Sequence, residues 1–195
     1  MRQKLFIAIV AVIIAITTVS VYHFTQQINI NYYQGQRLFL KGNYLQAIPF
    51  YVKSIEEGSD KRKTYQELAY CYLWTGNSEK AIELFRDISK KNPSDYSIKE
   101  SLAEAYSWNK KYDEAIKIFK EIINKTDSSW IKGKLAEVYL WDDQPQEAKT
   151  ILYPLVKKEP DNYKLKLLWG KALYYTGESE KASKIFEELL KEENE

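Results

Sequence analysis

Few side chains in this sequence can carry covalent or metal chemistry. It contains one cysteine, Cys71, and one histidine, His23. A lone cysteine forms no internal disulfide and supplies no cysteine-rich metal framework. A lone histidine removes histidine-based metal sites and argues against a histidine-dependent enzyme. The 27 acidic side chains are spread along amphipathic stretches with lysine neighbours, the pattern of solvated helix faces. No glycine-rich phosphate loop, nucleophile elbow or metal-ligand spacing occurs. The expectation is a protein that is not an enzyme, with no catalytic residue, no metal site and no cofactor. Cys71 reads as a small buried apolar-like residue.

Charge excludes a further class. The chain carries 29 basic and 27 acidic residues, a formal net charge of +2. Arg2 and Lys4 alone account for that excess, so the rest of the chain is balanced. A charge-driven nucleic-acid binder needs a far larger basic surplus. The residues left to recognise a partner are aromatic: 16 Tyr, five Trp and seven Phe.

Residues Leu5 to Tyr22, LFIAIVAVIIAITTVSVY, carry no charge. As a helix, at about 1.5 Å per residue, this run spans about 27 Å, close to the thickness of a hydrocarbon core. It reads as an uncleaved transmembrane signal anchor. A cleaved signal peptide is the competitor, but its apolar stretch is usually shorter, and Thr18-Val19-Ser20 is a poor exit site. Arg2, Lys4 and the terminal amine precede the span, and the next basic residue is Arg37. Basic flanks stay on the cytoplasmic side, so the rest of the chain is expected outside the cell membrane. His23 falls at the membrane edge. Residues 1–4 form a short basic tail, 5–22 the anchor and 23–27 a tether.

The remainder, 28–195, is a repeat. Ala47, Ala81, Ala115, Ala148 and Ala182 recur at a period of about 34 residues. Small residues lie twelve positions earlier: Gly35, Ala69, Ala103, Ala136 and Gly170. Large apolar residues lie four positions later: Tyr51, Phe85, Phe119, Leu152 and Phe186. Two antiparallel helices need small residues where their backbones cross and large ones to fill the space beside the crossing. Gly42, Gly76 and Gly177 fall in the turns within units. Asn92-Pro93-Ser94-Asp95 and Pro160-Asp161 break one unit and cap the next. Pro49 and Pro154 lie inside second helices, where they should kink or destabilise them.

On these residues the chain from about Ile28 resembles tetratricopeptide repeats in five copies: 28–61, 62–95, 96–128, 129–162 and 163–195. The resemblance implies an all-α, right-handed α-solenoid whose first helices line a concave groove that holds a protein partner, as a peptide or a helix. Carried over by position, the groove residues are Tyr32, Tyr33, Gln36, Lys63, Gln66, Tyr70, Glu100, Glu104, Trp130, Glu137 and Lys171. The basic clamp that grips acidic chaperone tails is missing, because its positions hold Tyr32, Gln36, Glu67, Ser97 and Ser101. Trp74, Trp108, Trp141 and Tyr175 recur at the ends of first helices. They either pack over the turns or form an aromatic rim able to stack on a partner or on sugar rings. The resulting expectation is a membrane-anchored scaffold or adaptor in a cell-envelope complex. The alternative is a glycan-handling component of polysaccharide export or secretion.

Overall fold

The computed structural model describes residues 2–59 and 62–192, with side chains left out for 2–8 and 23–29. Among the described residues there are ten helices and no strand. They are α1 (Arg2–Leu40), α2 (Tyr44–Glu56), α3 (Arg62–Trp74), α4 (Ser78–Lys91), α5 (Tyr96–Trp108), α6 (Tyr112–Thr126), α7 (Ser129–Trp141), α8 (Pro145–Lys158), α9 (Tyr163–Tyr175) and α10 (Ser179–Glu192). The helices form two compact units, Met1–Ile88 and Ser89–Glu195, with the division inside α4.

The periodic small residues sit where helices cross. Ala47, Ala81, Ala115, Ala148 and Ala182 are all at most 1% exposed. At Gly35 a Cβ would come within 3.0 Å of the Tyr51 ring, and at Gly170 within 2.6 Å of Phe186. The small position and the large residue sixteen places later therefore occupy one crossing, in the first repeat as in the last. The turns inside the repeats also share a backbone state. Gly42, Gly76 and Gly177 have φ of 76°, 83° and 85°. Lys110 and Asp143 stand at the equivalent places with φ of 57° and 54°. The left-handed turn is thus a property of the repeat, and two of the repeats form it without glycine.

Of the expected helix caps one is met and one is displaced. Asp95 caps α5, accepting from the backbone N–H groups of Ser97 and Ile98. The cap of α9 is Asn162 rather than Asp161, with its side chain accepting from Leu165 N–H. Asn162 also donates to Glu159 across the turn at 3.0 Å. Pro49 and Pro154 interrupt neither α2 nor α8. Both prolines are exposed, so water can serve the carbonyl that each leaves without an N–H partner.

The tether expected at 23–27 is continuous helix, because no Gly or Pro precedes Gly35. The predicted anchor at 5–22 begins on residues whose side chains lie outside the described ones, as does that of His23. Among the described residues no helix is long and apolar enough to cross a membrane. The described part of the run is notable for what it leaves uncovered. Ile9, Val12, Ile13, Ile14, Ile16 and Val19 are each at least 50% exposed.

Two substitutions test the crossing and the turn. Gly35→Ala gains about 1 kcal/mol of helix propensity. It also drives a methyl group into Tyr51, which is fully buried and held through its hydroxyl. A net loss of about 1–2 kcal/mol is expected in urea denaturation. Lys110→Gly relieves a left-handed lysine and should gain roughly 0.5–1 kcal/mol in the same assay.

Candidate functional site

In the second unit the first helices α5, α7 and α9 are joined by paired side chains. Trp130 Nε1 donates to Glu100 at 2.7 Å. One turn further along, Lys134 donates to Glu104 at 2.5 Å. Glu137 in turn pairs with Lys164 of α9 at 3.3 Å. Glu100, Glu104, Trp130 and Glu137, four of the positions expected on the groove, therefore share one connected face. Glu104, Lys134 and Glu137 are 20–26% exposed as side chains. Water screens such pairs only in part, and their main effect is to fix side-chain direction.

Trp130 is the centre of this face. It is 55% exposed, and the ammonium groups of Lys134 and Lys164 lie 5.0 and 5.2 Å from its ring centroid. Both distances suit cation–π attraction. Beside the indole a cavity of about 240 Å³ opens between α7 and α9, floored by Gly133, Leu165 and Leu168. Gly133 keeps it open, since a Cβ there would stand 3.2 Å from Leu165. Lys171, the last expected groove position, is exposed and unpaired among the described residues. An apolar floor, one indole wall and fixed charges on the lip suit a side chain presented by another protein.

The first unit treats the same positions differently. Tyr32, expected on the groove, is 6% exposed and belongs to the core with Tyr51, Leu68 and Cys71. Tyr33 beside it is 60% exposed and meets the Tyr32 ring edge-on. Glu67 is the polar hub. It accepts from Tyr51 Oη at 2.9 Å and from Gln36 Nε2 at 3.5 Å, and it pairs with Lys63 at 3.7 Å. Gln36 also donates to the Tyr32 hydroxyl at 2.8 Å. Burial first, and then the Glu67 charge, raise the Tyr32 phenol above its usual value. Burial and the hydrogen bond to Glu67 raise Tyr51 as well. Gln36 and Lys63 are thus engaged in supporting a buried carboxylate, and Gln66 is half-buried on the same helix.

The aromatic positions at the ends of first helices have unlike surroundings. Trp74 stacks on Tyr70 at 5.2 Å and leans on Tyr44 at 4.5 Å and Phe39 at 5.5 Å. Tyr70 also meets Phe85 edge-on. Trp108 and Trp141 border one small cavity with Glu104, Lys134 and Phe119. Tyr175 touches the ring of Tyr174. Sequence reasoning missed Tyr44, whose equivalents are Ser78, Tyr112, Pro145 and Ser179. It also missed the Glu100–Trp130 and Glu104–Lys134 pairs. Both are separated by 30 residues, one period less one helical turn, and a search at that spacing would find them.

Among the described residues no group of three or more His, Cys, Asp and Glu could hold a metal ion.

The description of one matching family is tetratricopeptide repeat, over residues 38–100, and of a second PPR repeat, over 101–126. No curated protein is matched by sequence. Several solved structures are similar. One is a Podosopora anserina putative kinesin light chain with TPR-like repeats, at TM-score 0.68 and 20% identity over 84% of this chain and 93% of that one. Another is MamA from Desulfovibrio magneticus, at TM-score 0.73 and 14% identity over 86% and 96%. A third is Pseudomonas aeruginosa pilF, at TM-score 0.66 and 17% identity over 87% and 78%. At these identities the likeness concerns the fold, which is an all-α helical repeat of the tetratricopeptide type.

Cys71 supplies a test of the first unit's core. It is fully buried, and burial, with the Glu67 charge second, lifts its thiol from 9.0 to about 12. A neutral, covered thiol reacts slowly. Iodoacetamide labelling at pH 8 is expected to be at least about a hundredfold slower in native protein than in urea. The sign of the pH effect follows from the raised value. Above pH 9 the unfolded thiol ionises while the folded one stays protonated, so stability falls as the pH climbs towards 12.

Proposed function

We propose that this chain is a membrane-anchored scaffold that holds a protein partner on the faces of its first helices, within a cell-envelope complex. The observation that carries the reading is the Trp130 site. It joins an exposed indole, an apolar cavity and lysines fixed by Glu104 and Glu137 on one face. Exposed aromatics beside a small apolar cavity are the usual anchors of protein recognition. A peptide or helix would place one side chain against Trp130, Leu165 and Leu168 and lie across α7 and α9.

The apolar start of α1 supports the anchoring part of the proposal. A helix end with apolar residues exposed on all sides has no favourable environment in water. Lipid would cover it, and the basic residues at positions 2 and 4 favour a cytoplasmic N-terminus with the repeats outside. Tethering then raises the local concentration of the binding face for partners in the same membrane. A protein side chain is favoured over a sugar because the cavity beside Trp130 has an apolar floor of Leu165 and Leu168, and of the rim aromatics Trp74 already packs on Tyr70, Tyr44 and Phe39. Sugar stacking needs an open aromatic face.

Two experiments separate the parts. Trp130→Ala combined with Lys164→Ala should lower partner capture from native membranes by about tenfold while leaving the circular dichroism unchanged. Undiminished capture would overturn the binding face. The full chain should float with lipid vesicles and resist alkaline extraction, and a variant lacking residues 1–22 should not. If both versions behave alike, the anchor is wrong. External protease should cleave the repeats in intact spheroplasts, and protection would reverse the orientation.

A further inference from the structure

A second surface lies on the first unit and includes none of Tyr32, Tyr33, Gln36, Lys63, Gln66 and Tyr70. The second helices α2 and α4 are separated by a furrow with α3 at its base. Val52 and Ile55 come from α2, Leu68 and Tyr72 from α3, and Leu84 from α4. These residues pack on the core but are covered only in part, apart from the buried Leu68. The furrow has a volume of about 340 Å³. An apolar cavity of about 150 Å³ already accepts a benzene-sized group, so this one has room for two aliphatic side chains.

Its rim is acidic. Glu56, Glu83 and Asp87 stand along it against one base, Lys80. All three carboxylates are exposed. Glu56 and Glu83 join no ion pair or hydrogen bond among the described residues. The Lys80 ammonium is drawn aside, 5.2 Å over the Tyr72 ring.

The second unit provides an internal comparison. The same repeat positions on α6, α7 and α8 form a furrow of about 240 Å³, lined by Ile123, Leu135 and Ile151. There the place of Glu56 is taken by Asn124, that of Glu83 by Thr150 and that of Asp87 by Pro154. The bordering charges are Lys120 and Lys132. The architecture therefore forms the furrow in both units without requiring acids on its edge. The acidic rim is particular to the first unit, and charge complementarity identifies what it fits.

We propose that this furrow docks an amphipathic segment of a partner protein, with one or two aliphatic side chains in the furrow and Lys or Arg against Glu56, Glu83 and Asp87. The furrow shares no residue with the Trp130 face.

The test uses the full chain in a nonionic detergent, with micelles alone as the blank. The probe is a fluorescent capped peptide, Lys-Leu-Ala-Lys-Lys-Leu-Ala-Lys, with a counterpart that has Glu for every Lys. The lysine peptide should bind at least about tenfold more tightly than the glutamate peptide and should weaken as salt is raised. Glu56→Lys with Glu83→Lys should abolish that preference. Both positions are exposed, so the fold should survive, and an unchanged thermal melt checks this. Lys120→Glu, on the other furrow, should leave binding as it was. The proposal is overturned if the lysine peptide does not bind, if both peptides bind alike, or if the double variant behaves as the parent. It is equally overturned if Lys120→Glu shifts binding as much as the double variant does, because overall charge would then be the cause. None of these outcomes bears on the Trp130 face, which is tested by its own variants.

Discussion

The structure depends on one steric rule: at each crossing of paired helices only a hydrogen or a methyl group fits. Gly35 against Tyr51 and Gly170 against Phe186 are its limiting cases, because even a Cβ would enter the opposing ring. The anchor alanines obey the same rule from the second helices and are essentially without exposed surface. Close approach brings the backbones together, and the large residue beside each crossing fills the remaining space. The period, the left-handed turns and the buried tyrosines follow from repeating that contact. A pair of helices this short leaves one face uncovered, which the next pair must cover.

Within that frame the two units use their first helices for different ends. The first unit buries a carboxylate, Glu67, and surrounds it with Tyr51, Gln36 and Lys63. Its first-helix positions are largely consumed in keeping that charge solvated by the protein. Among the described residues no buried side-chain polar atom lacks a partner, so the arrangement is internally satisfied. The second unit pairs its charges near the surface instead, and these hold Trp130 half in solvent. One interior is closed and the other face is open, although both arise from the same period.

The positions of turns and crossings were legible in the sequence because they are local demands with few solutions. A left-handed residue favours glycine, and a helix crossing favours Gly or Ala. Where the demand has more than one solution the sequence was silent. Lys110 and Asp143 form the turn without glycine. Asn162 rather than Asp161 caps α9, since either side chain can do so and only the backbone path selects one. Tyr32 looked available for binding but turns inward onto Tyr51. Trp74 looked like one of a series, yet its ring is held by Phe39 and Tyr44 of the preceding repeat and by Tyr70 of its own.

The sequence by itself determined the helical period, the small and large partners at each crossing and the apolar start of α1. It also determined the scarcity of reactive side chains. Each of these depends on residue type at a fixed spacing, which survives whatever the chain packs against. Only the tertiary structure decided which side chains face a partner. It turned Tyr32 into the core, tied Glu100 to Trp130 and opened the cavity beside Gly133. It also placed Glu56 and Glu83 on one furrow although they belong to different repeats. These choices join helices distant in the chain, where small shifts in packing decide whether a side chain meets protein or water.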